Sequence, residues 1–106
     1  MPKFLFVYHG GNAGPPPTPA QQKATMDAWG AWFGSMGKSV IDGGNPVGKS
    51  STVKPDGSMS HDGGANPAGG YSLIEAKDLA EAHAKAKGCP LLKHGGSVEI
   101  AQAIDM

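Results

Sequence analysis

The first apolar segment, Phe4-Leu5-Phe6-Val7-Tyr8, runs five residues without a polar interruption and is rich in aromatic and β-branched side chains. That composition predicts a strand buried on both faces. Gly10-Gly11-Asn12-Ala13-Gly14-Pro15-Pro16-Pro17 follows, and its glycines and three prolines predict a loop. The next segment opens with a helix signal: Thr18 as cap, Pro19 at the first helical position and Gln21 at capping-box spacing. Met26, Trp29, Phe33 and Met36 then recur at steps of three and four, which places them on one stripe that Trp32 widens. Gly37 is placed to end the helix in the left-handed conformation.

Residues 38–42 form a short segment with β-branched side chains at its centre, closed by the turn cluster Gly43-Gly44-Asn45-Pro46. Residues 51–54 and 58–60 flank Pro55-Asp56-Gly57 and predict a hairpin with a tight turn. A glycine-rich connection over 62–70 leads into a strand at 71–76. Asp78 then caps a second helix, with Glu81 three residues on. Its apolar stripe is Leu79, Ala82 and Ala86, with His83 beside it. Gly88 and Pro90 end that helix, and residues 97–103 close the chain as a strand. The order is that of an α+β domain of the ferredoxin-like βαββαβ plan with an extra hairpin, spanning 1–106 as a single unit.

With both helices on one face of such a sheet, the other face carries alternate residues: Leu5 or Phe4, Tyr71 or Ser72, Val98 or Glu99. An apolar sheet face in a small protein is usually covered. A second identical subunit is the economical cover, so a homodimer is expected.

Composition narrows the partners. Nine lysines balance nine acidic residues, the lysines are scattered along the chain, and there is no arginine. Without a basic face or a guanidinium fork, a nucleic-acid partner is not expected. The chain has one cysteine, Cys89, so no intramolecular disulfide forms and a reducing, cytoplasmic setting is the expectation. No stretch approaches the roughly 20 apolar residues that span a bilayer, so no membrane partner is expected.

Several segments carry a family resemblance. Gly69-Gly70-Tyr71-Ser72-Leu73-Ile74-Glu75-Ala76, Leu79-Ala80-Glu81-Ala82, Gly88-Cys89-Pro90 and Gly95-Gly96-Ser97-Val98-Glu99-Ile100 resemble the second half of YCII-related domain proteins. The strand ending in Tyr8, the Trp29/Trp32 helix and Asp42-Gly43-Gly44-Asn45-Pro46 resemble the first half. The resemblance implies a dimeric α+β barrel, a superfamily that includes small-molecule isomerases and monooxygenases. One branch carries a histidine near the start of the first helix and an Asp-Pro-Tyr segment after the second, proposed as a catalytic pair. Thr18-Pro19-Ala20-Gln21 and Gly88-Cys89-Pro90-Leu91 stand in those places here. Another branch carries Asp-Gly-Pro-Phe, of which Asp62-Gly63-Gly64-Ala65 keeps two residues. Neither branch's mechanism therefore transfers.

Single residues carry the candidate chemistry. His9 closes the first strand and Asp42 the second; strand ends at one barrel mouth can present a histidine to a carboxylate for acid–base work. The alternative is that His9 closes a loop and Asp42 starts a glycine turn. Tyr71 and Glu99 lie on central strands and are candidates to line a ligand cavity; Tyr71 could equally be core, and Glu99 a salt-bridge partner. Glu99 faces the dimer cavity if Val98 and Ile100 face the helices. His61 and His94 are candidates for the pocket rim or, alternatively, surface turn residues. No close histidine spacing supports a metal site, no glycine cluster has a nucleotide-binding pattern, and no cofactor is expected. Trp29 and Trp32 read as helix-to-sheet packing, and Cys89 as structural. The expected function is binding of a small organic molecule in a barrel cleft, with proton-transfer chemistry if the protein is an enzyme. The alternative is a non-catalytic dimerisation or regulatory module.

Overall fold

Phe4, Phe6 and Tyr8 are buried while the alternate residues Lys3 and Leu5 are exposed and Val7 is half-buried, so the first strand sorts its side chains to two faces. The computed structural model describes residues 1–10 and 18–105. Beyond Gly10, the loop expected before the first helix lies outside the described residues. The elements are β1 (Lys3–His9), α1 (Pro19–Met36), β2 (Val40–Asp42), β3 (Thr52–Val53), β4 (Met59–Ser60), β5 (Ala68–Glu75), α2 (Leu79–Ala86) and β6 (Ser97–Ala103). Short 3₁₀ turns at Gly37–Ser39 and Pro90–His94 follow the two helices.

The main sheet has the order β2-β5-β1-β6, with every neighbouring pair antiparallel. Each βαβ unit thus spans one intervening strand, which is the ferredoxin-like split arrangement the element order predicted. The fold is α+β. Register fixes which residues share a face: Phe4 opposes Ile74, Phe6 opposes Ser72 and Ile100, and Tyr8 opposes Gly70 and Val98. Those residues, with Val40, form the core beneath the helices. Leu5 opposes Leu73 and Ala101, and Val7 opposes Tyr71 and Glu99, so these occupy the opposite face. That face is half-exposed: Val7, Tyr71 and Leu73 are partly buried and Leu5 is exposed.

Local signals account for the helix ends. Thr18 and Gln21 form a reciprocal capping box, and Gly37 ends α1 with φ 55° and ψ −122°, a positive-φ conformation other than the left-handed helical one expected. The Asp78 carboxylate accepts from the backbone N–H of Glu81 at 2.9 Å, while the Glu81 side chain accepts from Lys77. Lys38 and Ser39 belong to the 3₁₀ turn, so β2 starts later than expected. The strand expected at 71–76 instead begins at Ala68, where the Gly43–Pro46 segment continues the pairing: Tyr71 N–H donates to Asn45 O and Val47 N–H to Gly69 O.

Trp32 is the centre of the core. Its ring lies 6.4 Å from Phe6, 6.2 Å from Tyr8, 5.6 Å from Trp29 and 5.1 Å from Phe33, centroid to centroid. Such pairs add about 0.5–1.5 kcal/mol each beyond the area they bury. Its indole N–H donates at 2.9 Å to Lys85 O, a carbonyl at the end of α2 that also accepts from Gly88 N–H at 3.3 Å, and this bond ties the two helices together. Gly88 leaves room for this ring, since a Cβ there would sit 3.1 Å from Trp32.

Two expectations of burial are corrected. Met26 is 74% exposed because the first turns of α1 carry it away from the apolar stripe's contact with the sheet, and Leu79, at the start of α2, is 52% exposed. The extra hairpin β3–β4 stands off the domain, with its opposed pair Val53 and Met59 exposed at 71% and 55%. The radius of gyration, 15.2 Å, exceeds the roughly 13 Å expected of a compact chain this long. Among the described residues no helix is long and apolar enough to cross a membrane.

Replacing Trp32 tests the core. Trp32→Phe keeps most of the ring packing but removes the indole bond to Lys85 O, which retains the Gly88 N–H, and should cost about 1 kcal/mol. Trp32→Ala should cost about 3–5 kcal/mol, a large share of the stability of a domain this size. Urea unfolding of the three proteins reads the difference; equal midpoints would show that Trp32 is not the centre of the core.

Candidate functional site

Tyr8 and His9 are consecutive at the end of β1 and therefore point to opposite faces of the sheet. Each stands in a separate constellation.

On the helix side, Tyr8 lines a cleft of about 570 Å³ between α1 and the end of the sheet. Trp29, Phe33 and Met26 form its helical wall. Gly43, Gly44, Gly69 and Gly70 form much of the opposite wall, with Asn45, Pro46, Tyr71, Thr25 and Leu91 completing it. Trp29 meets Tyr8 edge to face at 4.9 Å. The glycine wall is obligatory at Gly44, which has φ 72° and whose Cβ would fall 1.7 Å from Tyr71 O. No L side chain fits a left-handed residue with a carbonyl at that distance. Burial pushes the Tyr8 hydroxyl up to about 12, although its bond to Ser72 opposes the shift. Tyr8 is therefore neutral throughout the physiological range.

The Tyr8 hydroxyl lies 2.7 Å from Ser72 Oγ, which lies 2.6 Å from Gly43 O. A carbonyl only accepts, so Ser72 donates to Gly43 and Tyr8 donates to Ser72. This chain links β1 through β5 to the turn after β2, and leaves no buried polar side-chain atom unpartnered among the described residues.

On the opposite face, His9 Nε2 lies 2.8 Å from Glu99 Oε1, and His9 Nδ1 lies 3.2 Å from Pro67 O. In register, His9 opposes Ser97, so Glu99 is its diagonal neighbour across the β1–β6 pair. The His9 side chain is 8% exposed and that of Glu99 is 64% exposed. Both acceptors take a proton from the ring, which favours the imidazolium. The Glu99 hydrogen bond accordingly raises the His9 pKa above its ordinary value, with burial opposing and the Pro67 carbonyl assisting. The exposed carboxylate gives this buried proton a route to solvent.

The expected partners are thus redistributed. His9 meets Glu99, 90 positions away, rather than Asp42. The Asp42 carboxylate accepts from Gly44 N–H at 2.8 Å and starts the glycine turn, with β5 lying between its strand and β1. Val98 and Ile100 pack on the core, which puts Glu99 on the open face as the register argument required. Tyr71, which the register puts on the open face of β5, also borders the cleft, and Asn45 Nδ2 donates to its hydroxyl at 3.4 Å. His61 and His94 are exposed and join neither constellation. Among the described residues no three His, Cys, Asp or Glu side chains gather as a metal site. Cys89 is buried, and burial raises its thiol pKa, the opposite of nucleophile activation. Trp32 packs helix to sheet as expected, but Trp29 also faces the cleft. Trp29 and Phe33 pack against the core and line the cleft at once, so their helical spacing alone did not separate packing from binding.

The His9–Glu99 pair predicts a pH dependence. The folded-state pKa is raised above the unfolded value of about 6.5. Its stabilisation is therefore complete below about pH 6.5 and is lost as pH rises through the folded pKa. Glu99→Gln should flatten this decline and move the His9 ring-proton titration to lower pH in NMR. An unchanged titration midpoint in the variant would show that Glu99 does not hold the proton.

No family model matches the chain, and no curated protein matches it. Among solved structures it is similar to a 5-chloro-2-hydroxyhydroquinone dehydrochlorinase from Burkholderia phenoliruptrix AC1100, in complex with 2,5-dihydroxybenzoquinone. The identity is 17% and the TM-score 0.49, over 94% of this chain and 93% of that one. At that distance none of that protein's chemistry carries over, and the strand order rests on this chain's own hydrogen bonds.

Proposed function

We propose that this chain is a YCII-related homodimer that takes a small organic molecule into the cleft between α1 and the end of the sheet. The cleft itself carries this reading: about 570 Å³ is within the range of small-molecule sites, and its walls are aromatic and apolar with few polar groups. This site is built within one chain, whereas the sequence suggested a cavity between two.

The homodimer is supported by the second sheet face. Leu5, Val7, Tyr71 and Leu73 form a continuous strip there, and a two-fold copy laid face to face would close a barrel over it. His9 and Glu99 would then lie inside the barrel. In that setting His9 is the acid of any proton-transfer step, with Glu99 in place of Asp42 as its carboxylate partner. A non-catalytic module is the second reading, and it is favoured by one observation: both His9 nitrogens already have protein partners.

The experiment has two independent arms. Sedimentation at micromolar concentration should give twice the chain mass, and Leu73→Lys should halve it; a monomeric wild type ends the barrel. A thermal-shift screen of neutral and charged metabolites should return binders whose affinity falls about tenfold or more in Trp29→Leu, a loss of about 1.4 kcal/mol. Binders indifferent to Trp29 would place the site elsewhere.

A further inference from the structure

The cleft's polar groups differ in how free they are. Thr25, Asn45 and Tyr71 at the rim are half-buried or exposed and their polar atoms can turn toward solvent. Tyr8 is buried, and its hydroxyl hydrogen has one destination. Gly43 O can only accept, which commits Ser72 Oγ to donating to it and to accepting from Tyr8. What Tyr8 Oη retains is a lone pair. No charged side chain lines the cleft among the described residues, although the chain holds 18 acidic and basic residues in equal number. The walls are the rings of Trp29 and Phe33 on the helix side and Tyr8 with glycine backbone on the sheet side, which suits a flat molecule edge to face with aromatics.

We infer that the ligand of this cleft is an uncharged planar aromatic that donates a hydrogen bond to Tyr8 Oη. The inference rests on the cleft being the binding site and adds the ligand class and the polarity of its one buried contact. An anionic ring compound would lose its hydration with no cation to replace it. A ring without a donor would strand the Tyr8 lone pair against apolar surface. The tyrosine is a binding and orienting residue, fixed in direction by Ser72.

Indole and benzofuran form the discriminating pair, because they share a shape and differ in one N–H against one ring oxygen. Calorimetric titration of the wild-type protein should show indole bound roughly threefold to tenfold more tightly than benzofuran. Indole-3-carboxylate should bind at least about tenfold more weakly than indole. In Tyr8→Phe the indole preference should vanish while the ring packing stays. Ser72→Ala frees the Tyr8 hydrogen to turn to the ligand, so benzofuran should gain and the preference contract; this second variant keeps the test in force if Tyr8→Phe fails to fold. Benzofuran binding the wild type as tightly as indole, or a preference unchanged in the variants, overturns the inference and leaves the cleft standing as a site. Failure of both probes to bind the wild type overturns the cleft reading along with it.

Discussion

Phe4, Phe6 and Tyr8 share one side of a strand that is hydrogen-bonded along both edges, and this alternation is the constraint on which the molecule depends. A one-residue slip of β1 against β5 or β6 would move the aromatic side chains to the open face and bring Leu5, Val7 and His9 beneath the helices. The core would lose the surface on which Trp32 sits, and the cleft its floor. Burial therefore enforces the register, and the register in turn positions both constellations at the end of the same strand. The shift in pairing between Tyr8 and His9 on the β5 side occurs where strand gives way to site.

Features set by neighbouring residues were legible in the sequence. The caps Thr18 and Asp78, the end of α1 at Gly37 and the alternation of element types needed only local spacing, and the element order sufficed for the split βαβ plan. What could not be read was pairing across long separations. The contact between His9 and Glu99 depends on the diagonal offset in one antiparallel ladder, which no periodicity reveals. Asp42 looked equivalent as a partner because it ends a parallel strand; only the backbone of the Asp42-Gly43-Gly44 turn discloses that its carboxylate is already used. Met26 fitted the helical stripe, yet a helix's apolar face is buried only over the length that its sheet reaches.

The two constellations have opposite electrostatic characters. The helix-side cleft is uncharged and holds a tyrosine that burial keeps protonated. The other face holds a histidine whose charge is favoured by the protein itself, with its carboxylate partner in solvent. One strand end thereby separates a largely apolar, uncharged cleft from a charged pair by the thickness of a sheet. The Pro67 carbonyl on His9 also anchors the return of the β3–β4 segment to the sheet, so the protonation of one imidazole bears on how that projecting segment is seated.

Gly44 limits how this site can diversify. Its backbone sits against Tyr71 O in a conformation that side chains do not tolerate, so that part of the wall is closed to mutational exploration. Related chains that came to accept bulkier or smaller compounds would have to do so through Thr25, Met26 or Asn45, whose side chains ring the entrance. Selectivity in such a lineage would drift at the mouth while the floor stayed invariant.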